Sequence, residues 1–385
     1  MTLKAMPDFD YIIVGAGASG LMLADALGSD PHFGDKQILL LDKDRKQSND
    51  RTWCFWEQGA GTFDNIVHRT WDTIYFAGKE YRARIPIEPY RYKMIRGIDF
   101  YEHYFGKLKG FSNLTFINAK VQSIEDQGHE VVVSTNKRTY TGSQVFSSIF
   151  DGTALTSQQR YPVLQQHFIG WFVKTRTNTF DPGTATFMDF SIPQKGNTRF
   201  MYVLPFSEKQ ALVEYTLFSE ELLPEEEYEN AIRNYLKQDL NCEEYEIEVK
   251  EKGRIPMTSY NFKQHNSANL LHIGIAGGWA KASTGYTFRS SALKVKKLVE
   301  HLKAERPLKS FDRRSRFWFY DLLLLDILKR DNSQGRRIFE SIFKKRSPQL
   351  LFKFLDEETN FWEELLTMSG SPTRLFLDAL RRRLF

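Results

Sequence analysis

The chain has 385 residues, 41% of them apolar and 26% charged, which excludes disordered and fibrous classes and leaves room for two or three compact units. No run of 18 apolar residues occurs, because the longest candidate, residues 317–328, is cut by Asp321 and Asp326, so a membrane-spanning helix is not expected. The net charge of +5 is concentrated in residues 301–385, which carry 18 Lys+Arg against 12 Asp+Glu. No zinc-finger, RNP or helix-turn-helix pattern accompanies that excess, so an anionic membrane surface is the expected partner and nucleic acid is not. Two cysteines, Cys54 and Cys242, are too few for a disulfide framework. The first strand-like run starts about ten residues in, which leaves no space for a signal peptide, so a cytoplasmic location is expected.

Residues 10–14 form a short apolar run, followed by three glycines, a helical pattern over 21–27 and a second buried-strand run over 38–41 that ends at Asp42. This order predicts a βαβ unit. Residues 131–133 and 143–149 read as strands between polar turns. Strand composition then recurs over 168–175, 185–190, 200–205 and 211–218, punctuated by turn residues as in an antiparallel sheet. Residues 221–240 read as a charged helix, 270–276 as a buried strand and 290–303 as an amphipathic helix, and everything after Pro307 as helical. The predicted fold class is α/β: a Rossmann-type FAD-binding domain with an antiparallel β-sheet substrate domain and a helical C-terminal region. The segments are 1–80 and 263–306 for the FAD-binding domain, 81–150 as a mixed stretch returning to it, 151–262 for the substrate sheet and 307–385 for the helical region.

Gly15-x-Gly17-x-x-Gly20 follows a strand and opens a helix, and Asp42 lies 22 residues beyond Gly20. Gly15 allows the tight turn, Gly17 lets the backbone approach a pyrophosphate, Gly20 lets helix and strand pack, and Asp42 can accept from ribose hydroxyls. A second strand–turn–helix lies about 260 residues on, at His272–Trp279 and Ser283–Phe288. It would hold the ribityl phosphate and flank a flavin ring, which favours FAD over NAD and marks Gly277, Gly278, Thr284 and Gly285 as cofactor contacts.

These residues, with Arg51-Thr-Trp-Cys-Phe-Trp56, Phe187-Met-Asp-Phe190, Arg199–Phe206, Leu212-Val-Glu-Tyr-Thr216 and Ala276-Gly-Gly-Trp…Phe288, resemble the lycopene cyclase family over residues 9–300. Within it the likeness is to bacterial lycopene β-cyclases related to the plant enzymes. Gly274-Ile275 stands where general flavoproteins carry Gly-Asp, which argues against an ordinary flavin monooxygenase. The resemblance implies reduced FAD, NAD(P)H as its reductant, and cyclisation of the ψ-ends of lycopene to β-ionone rings without net redox change.

Strand alternation places Glu214 on an apolar face with Leu212, Thr216 and Phe218, where burial would raise its pKa and keep a neutral acid ready to protonate an alkene. Plant enzymes carry a second acid beside it. Here that position is Tyr215, which argues against a carboxylate pair. Asp189 matches another motif acid of that family and is the second catalytic candidate, and Arg51 and Arg96 are candidates to reach the FAD. Trp53, Phe55, Trp56, Trp171, Trp279 and Tyr286 are the aromatics expected to line the tunnel and face a carbocation. No metal-ligand spacing is present. Residues 313–320, 342–346 and 375–385 mix basic and aromatic side chains and are the expected membrane-facing material, making the protein peripheral to the inner face of the membrane, although Asp356, Glu357 and Glu358 interrupt the pattern and argue against one continuous face. Two other readings stay open: an NAD(P)H-consuming flavin monooxygenase on an apolar substrate, and a non-catalytic carotenoid-binding flavoprotein.

Overall fold

A computed structural model describes residues 7–384. β1 (Phe9–Val14), α1 (Ala18–Ser29) and β2 (Ile38–Asp42) form the expected βαβ unit. Their strands read as unbroken apolar runs because both faces are buried. Ile13 and Leu40 join a core with α1, whereas Ile12, Val14, Leu39 and Leu41 join the core beneath the other face. The chain then leaves this unit through β3 (Thr52–Gln58), β4 (Arg69–Trp71), β5 (Thr73–Ala77), β6 (Arg82–Pro86) and β7 (Tyr90–Arg96), and returns through α2 (Gly97–Leu108). β8 (Leu114–Asn118), β9 (Val121–Asp126), β10 (Val131–Thr135) and β11 (Thr139–Ser147) complete most of a first sheet, followed by the single turn α3 (Thr153–Thr156).

β12 (Leu164–Thr175), β13 (Thr184–Asp189), β14 (Thr198–Pro205) and β15 (Gln210–Ser219) build the expected antiparallel sheet. α4 (Glu225–Gln238) follows, then β16 (Tyr245–Met257), a 13-residue strand that crosses back along β12, and β17 (Leu270–His272), which rejoins the first sheet beside β11. α5 (Phe288–Lys303) packs on α1, and Ser19 Oγ donates to Ser291 Oγ at 2.9 Å in their buried contact. The C-terminal region is helical as expected: α6 (Arg316–Arg330), α7 (Gln334–Lys345), α8 (Pro348–Leu355), α9 (Phe361–Met368) and α10 (Thr373–Leu384).

The second sheet has the order β16-β12-β15-β14-β13-β5-β6. Its last two strands come from residues 73–86, so the stretch assigned above to the FAD-binding domain already contributes to the substrate sheet. β3, β7 and β4 form a separate three-stranded sheet between the two. One face of the large sheet, with Val213, Tyr215 and Leu217, packs on Ile232, Tyr235 and Leu236 of α4. The other, with Leu212, Phe218, Phe200 and Leu204, joins a core closed by α6, α7 and α8 through Leu325, Leu328, Phe343, Leu351 and Phe352. Phe352 stacks on Trp56 at 4.7 Å, and Phe343 on Phe76 at 4.2 Å, contacts worth about 0.5–1.5 kcal/mol each beyond their buried area.

That packing takes part of the expected membrane-facing stretches inside the protein, whereas Arg313 and Arg314 stay exposed. Phe317 and Phe343 are buried, Trp318 donates to the Ser259 carbonyl at 3.0 Å, and Arg316 and Arg383 are ion-paired with Glu364 and Asp326. Phe385 lies outside the described residues. No helix among the described residues is long and apolar enough to cross a membrane.

Candidate active site

The glycine turn has the geometry a dinucleotide needs. Gly15 sits at φ +102°, and a Cβ there would lie 2.0 Å from Ser148 Oγ. A Cβ on Gly20 would lie 1.8 Å from the Gly15 carbonyl oxygen, so helix and turn touch backbone to backbone. At Gly17 an added Cβ would meet nothing within 4 Å, because this position opens into a cavity of about 450 Å³. No side chain caps the first turn of α1, which leaves its N–H groups to an anionic ligand. Asp42 lines the same cavity and also braces the turn, accepting from the Ala16 N–H at 2.5 Å and the Asp44 N–H at 2.7 Å.

Arg51, Thr284 and Gly285 line this cavity, with Trp53 and Tyr286. The buried Gln166 Oε1 and Thr284 Oγ1 border it without a hydrogen-bond partner, polar atoms left for a bound ligand to satisfy. The cavity therefore fits a dinucleotide in its phosphate cradle, its acid and its waiting polar atoms.

Several expected contacts lie elsewhere. Gly277 and Gly278 belong to a short 3₁₀ turn and line a second cavity of about 580 Å³. β17 is three residues long, so Gly274 (φ +60°) and Ile275 take the place beside Ser19 and the glycine turn. Arg96 does not line the cofactor cavity, because it makes a bidentate pair with Asp99 at 2.7 Å. Phe55, Trp56 and Trp279 line the second cavity, which shares Cys54, Thr284 and Tyr286 with the first. Trp171 pairs with Val213 and lies on the α4 face of the sheet, one residue out of phase with the cavity. Asp189 is also absent from the cavity: its Oδ1 accepts from Ser191 N–H and Oγ and its Oδ2 from Tyr235 OH, pinning the end of β13 to α4.

Glu214 faces the cofactor cavity, as its alternation requires, and is 8% exposed. Thr216 Oγ1 donates to its Oε1 at 2.6 Å. It is not alone, which corrects the expectation of an unpaired acid. Gly170 on β12 pairs with Glu214 on one side and with Glu251 of β16 on the other, so the two carboxylates line up across three strands on one face. The glycine is what allows it: a Cβ at 170 would sit 2.8 Å from Leu212 Cδ1, 3.3 Å from Glu251 Cγ and 3.4 Å from Glu214 Cβ. Thr52 Oγ1 donates to Glu251 Oε2 at 2.7 Å. Burial first, and the charge of Glu251 second, push Glu214 up to about 8. Burial pushes Glu251 up to about 7 against the opposing effects of Thr52 and Arg51. The two titrate as a pair, so near neutrality the pair retains a proton that isolated carboxyls would have lost.

Among the described residues no cation pairs with Glu214 itself, although Arg51, Lys252 and Arg254 line the same cavity. Phe168, Leu204 and Leu212 supply the apolar wall, and burial keeps the hydroxyls of Tyr92, Tyr202 and Tyr286 and the Cys54 thiol protonated. Tyr92 OH and Tyr286 OH are 3.3 Å apart. A neutral carboxylic acid, a second carboxyl and an apolar aromatic wall beside a dinucleotide cradle are equipped to protonate a double bond and shelter a cation from water. Glu251 escaped sequence reasoning because it sits in the polar run Lys250-Glu251-Lys252. Only the pairing register lifts it from its neighbours.

A family model described as "Lycopene cyclase protein" matches residues 10–381. No curated protein matches the chain. Among solved structures it is similar to a geranylgeranyl bacteriochlorophyll reductase-like protein from Thermoplasma acidophilum, with a TM-score of 0.60 and 11% identity over 96% of this chain and 98% of that one. A flavoprotein/dehydrogenase from Cytophaga hutchinsonii gives a TM-score of 0.61 at 11% identity, covering 97% and 99%. A mutant halogenase in complex with FAD gives 0.57 at 12%, covering 96% and 85%. These likenesses show the flavoprotein fold.

Proposed function

The chain belongs to the lycopene cyclase family, and we propose that it is a lycopene β-cyclase that uses reduced FAD and the Glu214–Glu251 pair to close β-ionone rings. The observation that carries this reading is Glu214: a buried acid in the same cavity as the dinucleotide cradle, where burial pushes its pKa up. In this reading Gly15, Gly17, Gly20, Asp42, Arg51, Gly274 and the turn at Thr284–Gly285 hold FAD, with NAD(P)H as its reductant. Bound and reduced, that cofactor supplies negative charge beside the developing cation.

Glu214 gives its proton to C2 of a ψ-end, leaving a tertiary cation at C1. The C5=C6 bond attacks C1 and the cation moves to C5. Loss of the C6 proton to the carboxylate pair completes the β ring and restores the starting protonation, so neither protons nor electrons are consumed. Tyr92, Tyr202, Tyr286, Trp53 and Phe168 exclude water from the cation, and an aromatic face near it contributes about 2 kcal/mol or more when desolvated. A positioned general acid contributes roughly 10²–10⁴-fold. Glu214→Gln should therefore keep its FAD and lose β-carotene formation by about that factor. A variant that cyclises lycopene at the wild-type rate would overturn the assignment. Repeating the cycle at the other end gives β-carotene by way of γ-carotene. A C40 hydrocarbon resides in a bilayer, so the protein is read as peripheral to the cytoplasmic face of a membrane.

A further inference from the structure

Helix α9 is built inside out. Glu364 and Thr367 are buried, Glu364 at 0% exposure, whereas Phe361, Trp362, Leu365 and Leu366 face solvent, with Phe361 58% and Trp362 76% exposed. Spacing of four aligns Phe361 with Leu365 and Trp362 with Leu366, so the four form one apolar stripe. The inversion is held in place. Glu364 accepts from Arg316 Nε at 2.7 Å and from Tyr320 OH at 2.9 Å, and Asn360 closes a capping box with Glu363. Among the described residues nothing covers the stripe.

The same Arg316–Glu364 link seats α9 beside Arg313 and Arg314, both exposed and, among the described residues, without an ion-pair partner. With Lys263, Lys294 and Lys297 they line one side of the second cavity, where Asp312 pairs with Lys294, and the cavity's other acids are taken up elsewhere, Asp321 and Glu357 by Lys281, Asp356 and Glu358 by Arg289. That cluster carries uncompensated positive charge next to an apolar stripe. The combination suits the boundary between anionic headgroups and acyl chains. A second copy of the chain is the poorer match. The stripe exposes on the order of 450 Å², about half of what each partner of a stable dimer buries, and the cations beside it would repel their own copies.

We propose that α9 docks this protein on an anionic phospholipid bilayer, with Phe361, Trp362, Leu365 and Leu366 inserted and Arg313, Arg314 and Lys297 on the headgroups. This rests on the cyclase reading only for its purpose, since docking sets the second cavity, which adjoins the acid site at Tyr286, against the lipid that carries the hydrocarbon.

The test is co-flotation of the full chain with phosphatidylcholine vesicles with and without phosphatidylglycerol, using wild type, Trp362→Asp/Leu366→Asp, the conservative Trp362→Phe, and Arg313→Ala/Arg314→Ala. Both altered sites are exposed, and unchanged thermal unfolding checks that each variant folds. The expected result is binding that requires phosphatidylglycerol, a loss of tenfold or more in the Asp variant, retention in Trp362→Phe, and about fivefold weaker binding per arginine removed. Vesicle binding undiminished in the Asp variant, no wild-type binding, or a wild-type dimer that the Asp variant dissolves would each overturn it. Cyclisation of detergent-dispersed lycopene is measured alongside. The α9 variants should match wild type there and fall behind it with lycopene in vesicles, whereas a wild type inactive in detergent but bound to vesicles would count against the cyclase reading and leave the docking intact.

Discussion

Glu251→Gln separates the two halves of the acid pair. Glu214 and Glu251 flank Gly170 on opposite sides, which puts their Cα atoms two strand spacings, about 9.6 Å, apart. At that distance two unit charges interact by about 1.7 kcal/mol for an effective dielectric of about 20, or about 1.3 pKa units. Removing the Glu251 charge should therefore lower the Glu214 pKa by about one unit from about 8, burial sustaining the rest of its shift. A reaction that needs the protonated acid loses rate as pH rises through that value. The assay is the initial rate of ring formation from detergent-dispersed lycopene with pre-reduced FAD, between about pH 5.5 and 9. The alkaline limb should shift down by about one unit, with a roughly tenfold loss at about pH 8 and a near-normal plateau at low pH. An unmoved or upward-shifted limb would refute the electrostatic role of Glu251. A plateau that collapses at every pH would show that Glu251 itself carries the essential proton.

Gly170→Ala drives a Cβ into Leu212 and between the two carboxylates. It should cost about 1–3 kcal/mol of stability, read as a lower Tm, and at least tenfold in ring closure. Because folding raises the pKa of Glu214 and Glu251, the folded state binds more protons than the unfolded one between about pH 4.5 and 8, and stability falls as pH climbs through that window. The Glu214→Gln/Glu251→Gln double variant should then unfold several degrees above wild type at about pH 8.5 and level with it at about pH 4.5, a gap that calorimetry would register. Gly17→Val should fold yet purify without FAD, since its Cβ enters the cofactor cavity, whereas Gly20→Ala should not yield folded protein at all. Trp171→Phe should leave the product and rate of ring closure unchanged, because its ring lies on the α4 face.

The βαβ unit, the glycine turn, the acid Asp42 and the face that Glu214 occupies were all legible in the sequence, because each depends on local spacing. Periodicity placed Glu214 opposite Val213 and Tyr215, and the cores divide its neighbours in the same way, Leu212 and Phe218 in one and Val213 and Tyr215 in the other. What local spacing does not carry is register. Trp171 and Gly170 are neighbours in sequence but serve opposite faces, and Glu251 reaches the site only because β16 pairs along β12. That strand, Tyr245–Met257, reads as a charged segment because it is a sheet edge with one face toward solvent. β3 to β7 were similarly hidden, since their short strands split between two sheets. The basic and aromatic residues near the C-terminus were correctly read as helical. Their burial against the large sheet, and the outward turn of α9, follow from tertiary packing and ion pairs such as Arg316–Glu364.

The most direct test is a single anaerobic incubation of the protein with lycopene and pre-reduced FAD in D₂O, followed by chromatography and mass analysis. Acid-initiated ring closure predicts β-carotene or its one-ring precursor, one deuterium gained per ring from the exchanged Glu214 carboxyl, and a flavin that ends as reduced as it began. Unchanged lycopene, a ring without deuterium, or oxidised flavin in step with product would contradict it.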